Sequence, residues 1–146
     1  LCMHCDLSVM ADDAKMVMAF TNVALVPDGG ASWNLLRGMG YQRAYAFIAE
    51  GGRLPAEECL ALGLVNKLAP ANEVLTTAQS WAAELAQRAP VALRQVKALL
   101  RNAASQSFVE TFQAEAKAQN ACLASADAAE AISAFMEKRP PVFAGK

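Results

Sequence analysis

Histidine occurs once in these 146 residues, tryptophan and tyrosine only twice each, and charge is nearly balanced, with a formal net charge of -1. Lys and Arg are spread along the chain and never form a long block, which removes the electrostatic case for nucleic acid or an anionic membrane as partner. Long apolar runs are missing too. The longest, such as "FTNVALV" and "YAFIA", fall well short of the roughly 20 residues a bilayer span needs, so no membrane helix is expected. The N-terminus carries no basic region, apolar stretch and small-residue cleavage site in series, and so does not read as a secretory signal. A cytoplasmic location is the expectation. No internal repeat, low-complexity tract or flexible linker is found.

The chain has four cysteines, two of them in "CMHC" at residues 2–5 around His4. The motif could be half a zinc site or a redox pair, but no second histidine exists to complete a tetrahedral set, and Cys59 and Cys122 lie far away. No metal is expected. Leu1, Cys2 and Cys5 read instead as small apolar packing residues, since free cysteine is among the most buried residue types. With 55% hydrophobic residues the chain can bury one sizeable core, and its length suits a single domain or part of one. Leu1 opens the sequence without cap, loop or initiating Met, so the expectation is that it stands in the middle of a larger fold.

Local patterns divide the chain. "LSVMA" and "KMVMAF", either side of the polar "DDAK", predict short strands. Ser32 is placed to cap a helix through Arg37 that Gly38 and Gly40 end. Tyr41–Ala49 reads as a buried helix stopped by Gly51 and Gly52, and 55–62 as a helix with Pro in its first turn, leading into the apolar "LVNKLA". After Pro70 the pattern becomes helical throughout. Asn72 is a candidate cap for a helix carrying Leu75, Ala78, Ala82 and Leu85. A second helix from about Pro90 repeats Leu93, Val96 and Leu100. A third begins at "SFVE", where Ser107 and Glu110 have capping-box spacing, and a fourth covers about 125–138.

The stretch "LVPDGGAS" at residues 25–32 sets one carboxylate, Asp28, at the end of an apolar run beside two glycines. Read locally, Asp28 is a turn or N-cap residue, or a base in an apolar pocket, where desolvation would raise its pKa toward the range useful for proton abstraction. The glycines are turn residues, or clear space for a ligand to approach backbone. Local sequence leaves these readings open.

Four blocks carry a resemblance: "CDLSVMADDAKM", "VPDGGASWNLLR", "GGRLPAEECLALGLVNKL" and "SADAAEAISAFMEKRPPVF". Their order and spacing resemble the C-terminal half of the enoyl-CoA hydratase/isomerase, or crotonase, superfamily. The fold class this implies is α/β, with residues 1–69 as the C-terminal part of the crotonase core and residues 70–146 as a helical region for oligomerisation and CoA contact.

The resemblance implies an acyl-CoA thioester as partner, a homo-oligomer (trimer or hexamer), and no cofactor beyond the CoA that carries the substrate. In the family two backbone N–H groups form an oxyanion hole around the thioester carbonyl, each worth roughly 3 to 4 kcal/mol, and both donors and one catalytic glutamate precede the position of Leu1. The second glutamate of hydratases aligns with Phe20, which argues against water addition. Asp28 stands where isomerase-type members place an aspartate, and one base suffices to move a proton between two carbons. The resemblance thus implies Asp28 as catalytic base, Phe20, Leu25, Val26 and Trp33 as acyl-pocket residues, and Phe135 and Lys138 as contacts to the CoA nucleotide. Read locally, the apolar four are core and the last two belong to an amphipathic helix with a solvated basic end. Arg37, Arg43, Arg139 and Lys146 read as surface charge, and Glu57 and Glu58 as first-turn helix residues. An isomerase-type enzyme of fatty acid or aromatic acid breakdown is the expectation. The alternatives are an enoyl-CoA hydratase (a lyase), an aryl-CoA dehalogenase with Asp28 as nucleophile, a C–C bond-forming relative, and a non-catalytic acyl-CoA-binding or oligomerisation module.

Overall fold

The computed structural model describes residues 2–146, so the packing expected of Leu1, and of the Cys2 side chain, lies outside what is described. The chain divides into two compact units, Leu1–Trp81 and Ala82–Lys146.

The first unit holds every strand. β1 (Val9–Ala11) runs parallel to β4 (Lys67–Ala69) with Met10 opposite Leu68, and β2 (Lys15–Val17) runs antiparallel to β3 (Arg53–Pro55) with Met16 opposite Leu54. The strands flanking "DDAK" therefore pair with different distant partners and not with each other. Helices α1 (Ala31–Met39), α2 (Tyr41–Ala49) and α3 (Ala56–Ala61) fill the intervals. Met18, Leu35, Ala44, Phe47, Leu54, Cys59 and Val65 form the buried cluster, with Met3, Met10, Met16, Phe20 and Met39 half-buried around it. Strands this short give an irregular inner surface, and flexible methionines fill such gaps without a fixed shape. Gly38 lets α1 approach closely, since a Cβ there would lie 2.7 Å from Leu64 Cδ2.

Two expected caps are corrected. α1 begins at Ala31, with Gly30 at its N-cap in the left-handed region (φ 75°), so Ser32 lies inside the helix. Glycine adopts that conformation without the steric cost a Cβ would bring. α4 (Val74–Ala86) starts after Glu73, whose carbonyl accepts from Thr77 N–H, so Asn72 lies before the cap position. Cys5 is exposed and does not pack as expected, whereas Cys59 is fully buried. Glu57 and Glu58 do lie in the first turn of α3, where carboxylates favour the positive end of the helix dipole.

In the second unit, α5 (Pro90–Ala103), α6 (Phe108–Leu123) and α7 (Ala126–Glu137) follow one another. Ser107 and Glu110 form the capping box at the start of α6, which holds the Glu110 carboxyl below its ordinary pKa through bonds from the Ser107 backbone and hydroxyl. Ser125 caps α7 by accepting from Ala128 N–H. The C-terminal segment folds onto α7. Buried Asp127 accepts from the N–H groups of Ala144 and Gly145, and Glu130 accepts from Val142 N–H and the Arg139 guanidinium. Arg139 is thus a structural clasp that also bonds Glu137, where the sequence suggests surface charge.

Periodic apolar positions on the later helices are largely exposed, Leu75, Leu93, Val96, Leu100, Phe108 and Phe112 among them. Helical spacing identifies an apolar face, but something must cover it before it becomes a core. Among the described residues no helix is long and apolar enough to cross a membrane.

Candidate active site

A 3₁₀ turn, Phe20–Val23, leads into the segment that carries Asp28. The turn is fixed from outside and inside. Thr21 Oγ1 donates to the Ile48 carbonyl at the end of α2, and Leu25 N–H donates back to the Phe20 carbonyl at 3.0 Å. Phe20 is half-buried against the core cluster, so one of the four expected pocket residues serves packing as well. Ala24, at φ 59°, turns the chain outward into residues 25–30.

Asp28 is exposed, and so are its apolar neighbours: Val26 is 80% accessible, Leu25 59% and Trp33 54%. The enclosed apolar pocket expected around the carboxylate is therefore not formed by these residues. Residues 25–30 form an irregular arch between the turn and α1 in which only Pro27 is half-buried, whereas Leu35, further along α1, is fully buried in the core cluster. The Asp28 carbonyl accepts from Ala31 N–H at 3.0 Å and starts the helix. Among the described residues the Asp28 carboxylate has no hydrogen-bond or ion-pair partner, so both of its oxygens are available to accept a proton.

Gly29 and Gly30 both have positive φ, 54° and 75°. Space around them differs. A Cβ on Gly29 would meet nothing within 4 Å, while one on Gly30 would stand 3.0 Å from Cε1 of His4. What approaches the glycine backbone is thus the chain's own imidazole, whose Nε2 lies 2.5 Å from the Gly29 carbonyl oxygen. A carbonyl only accepts, so Nε2 is the protonated nitrogen. Sequence reasoning treated His4 only as a metal ligand; its partner stands 25 residues away, and no local pattern announces the contact. Among the described residues no three His, Cys, Asp or Glu side chains are grouped to hold a metal ion.

On α1, the Arg37 guanidinium stacks 3.6 Å over the Trp33 ring, a cation–π contact at helical i, i+4 spacing that fixes the exposed indole. Arg37 is therefore more than surface charge. A cleft of about 610 Å³ lies elsewhere in the same unit, lined by Met39, Arg43, Phe47, Arg53, Glu58 and Leu62, and none of the sequence-predicted site residues borders it. Phe135 and Lys138 belong to the second unit. Phe135 is 82% exposed near the end of α7, and Lys138 follows as its left-handed C-cap.

The structure thus gathers Phe20, Leu25, Val26, Asp28 and Trp33 along one turn, arch and helix start, with His4 as an added member. Comparison with known proteins bears on the chain as a whole. The enoyl-CoA hydratase/isomerase family matches residues 1–146. The chain is 33% identical over 141 residues to 1,2-epoxyphenylacetyl-CoA isomerase of Escherichia coli, covering 97% of this chain and 54% of that protein. It is 32% identical over 143 residues to a Mycobacterium bovis protein described as "Probable enoyl-CoA hydratase echA8", covering 98% and 56%. The crystal structure of an enoyl-CoA hydratase from Polaromonas sp. JS666 superimposes with a TM-score of 0.93 at 36% identity, covering 97% of this chain and 55% of that one. The chain spans little more than half the length of the curated relatives it matches. Its strands and helices have the crotonase-like α/β fold of those structures. With the family matched from end to end and the fold shared with a solved relative, the chain belongs to the enoyl-CoA hydratase/isomerase family.

Proposed function

We propose that the protein acts on an unsaturated acyl-CoA by shifting its double bond, with Asp28 as the single base. The observation that carries this reading is an unpartnered carboxylate at Asp28 with the aromatic Phe20, and no second acid, eight residues before it. Hydration needs one group to activate water and another to deliver a proton. A double-bond shift needs only one group, which takes a proton from one carbon of the acyl thioester, leaving a conjugated enolate, and returns it to another carbon of that enolate. The similarity to an isomerase of a CoA thioester supports the choice, although several similar proteins carry hydratase names.

In this reading Leu25, Val26 and Trp33 meet the acyl chain, their exposed surfaces being free for a ligand to cover, and Phe20 closes the inner end. Phe135 and Lys138 contact the CoA nucleotide, and the exposed apolar faces of the later helices build a homo-oligomer, a trimer or a hexamer. No cofactor beyond CoA takes part. The test is Asp28→Asn in the natural full-length protein with a 3-enoyl-CoA. General base catalysis typically contributes a factor of about 100 to 10,000, so turnover should fall by that order; unchanged turnover removes the assignment.

A further inference from the structure

Among the described residues, the hydrogen bonds of the arch that carries Asp28 reach one distant point. Its other hydrogen bonds are local: Leu25 N–H to the Phe20 carbonyl, Ala31 N–H to the Asp28 carbonyl, and Asn34 N–H and Nδ2 to the Gly30 carbonyl. Among the described residues, the one bond from residues 25–30 to anything more than five positions away is that from His4 Nε2 to the Gly29 carbonyl. The peptide accepting it joins Gly29 to Gly30 and is the second after Asp28. Two successive residues with left-handed backbone would otherwise leave the carboxylate on a pivot, because glycine gives little resistance to rotation about φ and ψ.

The ring is also seated sterically. Its Cε1 and Nε2 lie where a Gly30 side chain would stand, 3.0 and 3.4 Å from the position of a Cβ, while Nε2 holds the neighbouring carbonyl. His4 itself ends the 3₁₀ turn Cys2–His4, whose Met3 packs against the core cluster. The route from core to carboxylate is therefore Met3, His4, Gly29 carbonyl, Asp28.

We infer that His4 is a positioning residue for Asp28: its Nε2–H, bonded to the Gly29 carbonyl, fixes the arch so that the carboxylate is presented in one orientation. The inference rests on the reading of Asp28 as the base. Misplacing a catalytic group by about 1 Å can cost on the order of 100-fold in rate, and loss of a single tether on a glycine pair has that scale. The role needs a donor at that position and no proton transfer by His4 itself.

The experiment compares His4→Ala, His4→Gln and Asp28→Asn in the natural full-length protein, with a 3-enoyl-CoA as substrate and thermal unfolding as control. His4→Ala should lower kcat by about 10- to 100-fold with KM within about twofold, and lower the unfolding midpoint by no more than the few degrees that one hydrogen bond is worth. His4→Gln, whose amide can donate from a similar reach, should recover most of the lost kcat. Nitrogen NMR of the parent should find neutral His4 as the Nε2–H tautomer. If Asp28→Asn abolishes turnover while His4→Ala keeps the parental kcat, or if the tautomer is Nδ1–H, the positioning role is overturned and the base survives. If Asp28→Asn keeps turnover, the base reading itself falls, and His4 has nothing to position.

Discussion

Replacing Gly30 with alanine should cost more stability than the same change at Gly29, although both residues have left-handed backbone. Holding an L-residue at their φ values of 75° and 54° costs about 1 to 2 kcal/mol in either place. At Gly29 that is the whole effect, because a Cβ would have open space around it. At Gly30 the new Cβ would sit 3.0 Å from His4 Cε1 and 3.4 Å from Nε2, inside the roughly 3.5 to 4.0 Å at which carbon atoms rest. The ring has to withdraw, and it takes Nε2 away from the Gly29 carbonyl. A hydrogen bond of that kind is worth about 0.5 to 1.5 kcal/mol net, which sets the excess of Gly30→Ala over Gly29→Ala. Urea unfolding followed by emission of Trp33 and Trp81 measures both, and repeating the pair in a His4→Ala background completes a double-mutant cycle. The excess should vanish there. Equal costs in the parent background, or an excess that persists without the imidazole, would refute the contact between ring and arch.

Other features give further tests. Ser107→Ala removes the hydroxyl that caps α6, so it should cost about 1 kcal/mol by denaturant titration, while the Glu110 carboxyl, still bonded by the Ser107 N–H, stays below its ordinary pKa by NMR, though less far below than in the parent. Glu130 is held down at about 2, against an ordinary 4.5, by the Arg139 guanidinium and the Val142 N–H. A lowered folded-state pKa means the contribution of this clasp is fully present above 4.5 and lost as pH falls toward 2; an NMR carboxyl titration with its midpoint near 4.5 would show that the clasp does not form. Asp127→Ala leaves the Ala144 and Gly145 N–H groups without their acceptor, so it should destabilise by about 1 to 3 kcal/mol and open the C-terminal segment to carboxypeptidase, whereas a segment as resistant as in the parent would contradict the latch.

The parts of this fold that were legible in the sequence are those whose cause is local. The bounds of α2 are legible because glycines stand on both sides of Tyr41–Ala49, although only Ala44 and Phe47 of this helix are buried and Tyr41 and Tyr45 are exposed, against the expectation of a buried helix; the Ser107–Glu110 box declares itself by spacing alone. Strand partners were not legible, since Met10 finds Leu68 and Met16 finds Leu54 through long-range packing that no local pattern encodes. The start of α1 went to Ser32 by cap preference, whereas the backbone chose Gly30, whose conformation is set by the arch before it. At the site, the grouping of Phe20, Asp28 and Trp33 followed from the family resemblance, and their exposure did not: spacing says that Leu25 and Val26 are apolar neighbours of the carboxylate, but covering them requires other surfaces. His4 was the residue missed, because its meaning lies in a carbonyl 25 positions away.

In the proposed chemistry one carboxylate moves a proton and no water is added. Incubating the natural full-length protein with a 3-enoyl-CoA and with a 2-enoyl-CoA in heavy-oxygen water, and reading the acyl products by mass spectrometry, tests it most directly. The two double-bond isomers should interconvert with no heavy oxygen entering the acyl chain. A labelled 3-hydroxyacyl-CoA as the main product would contradict it.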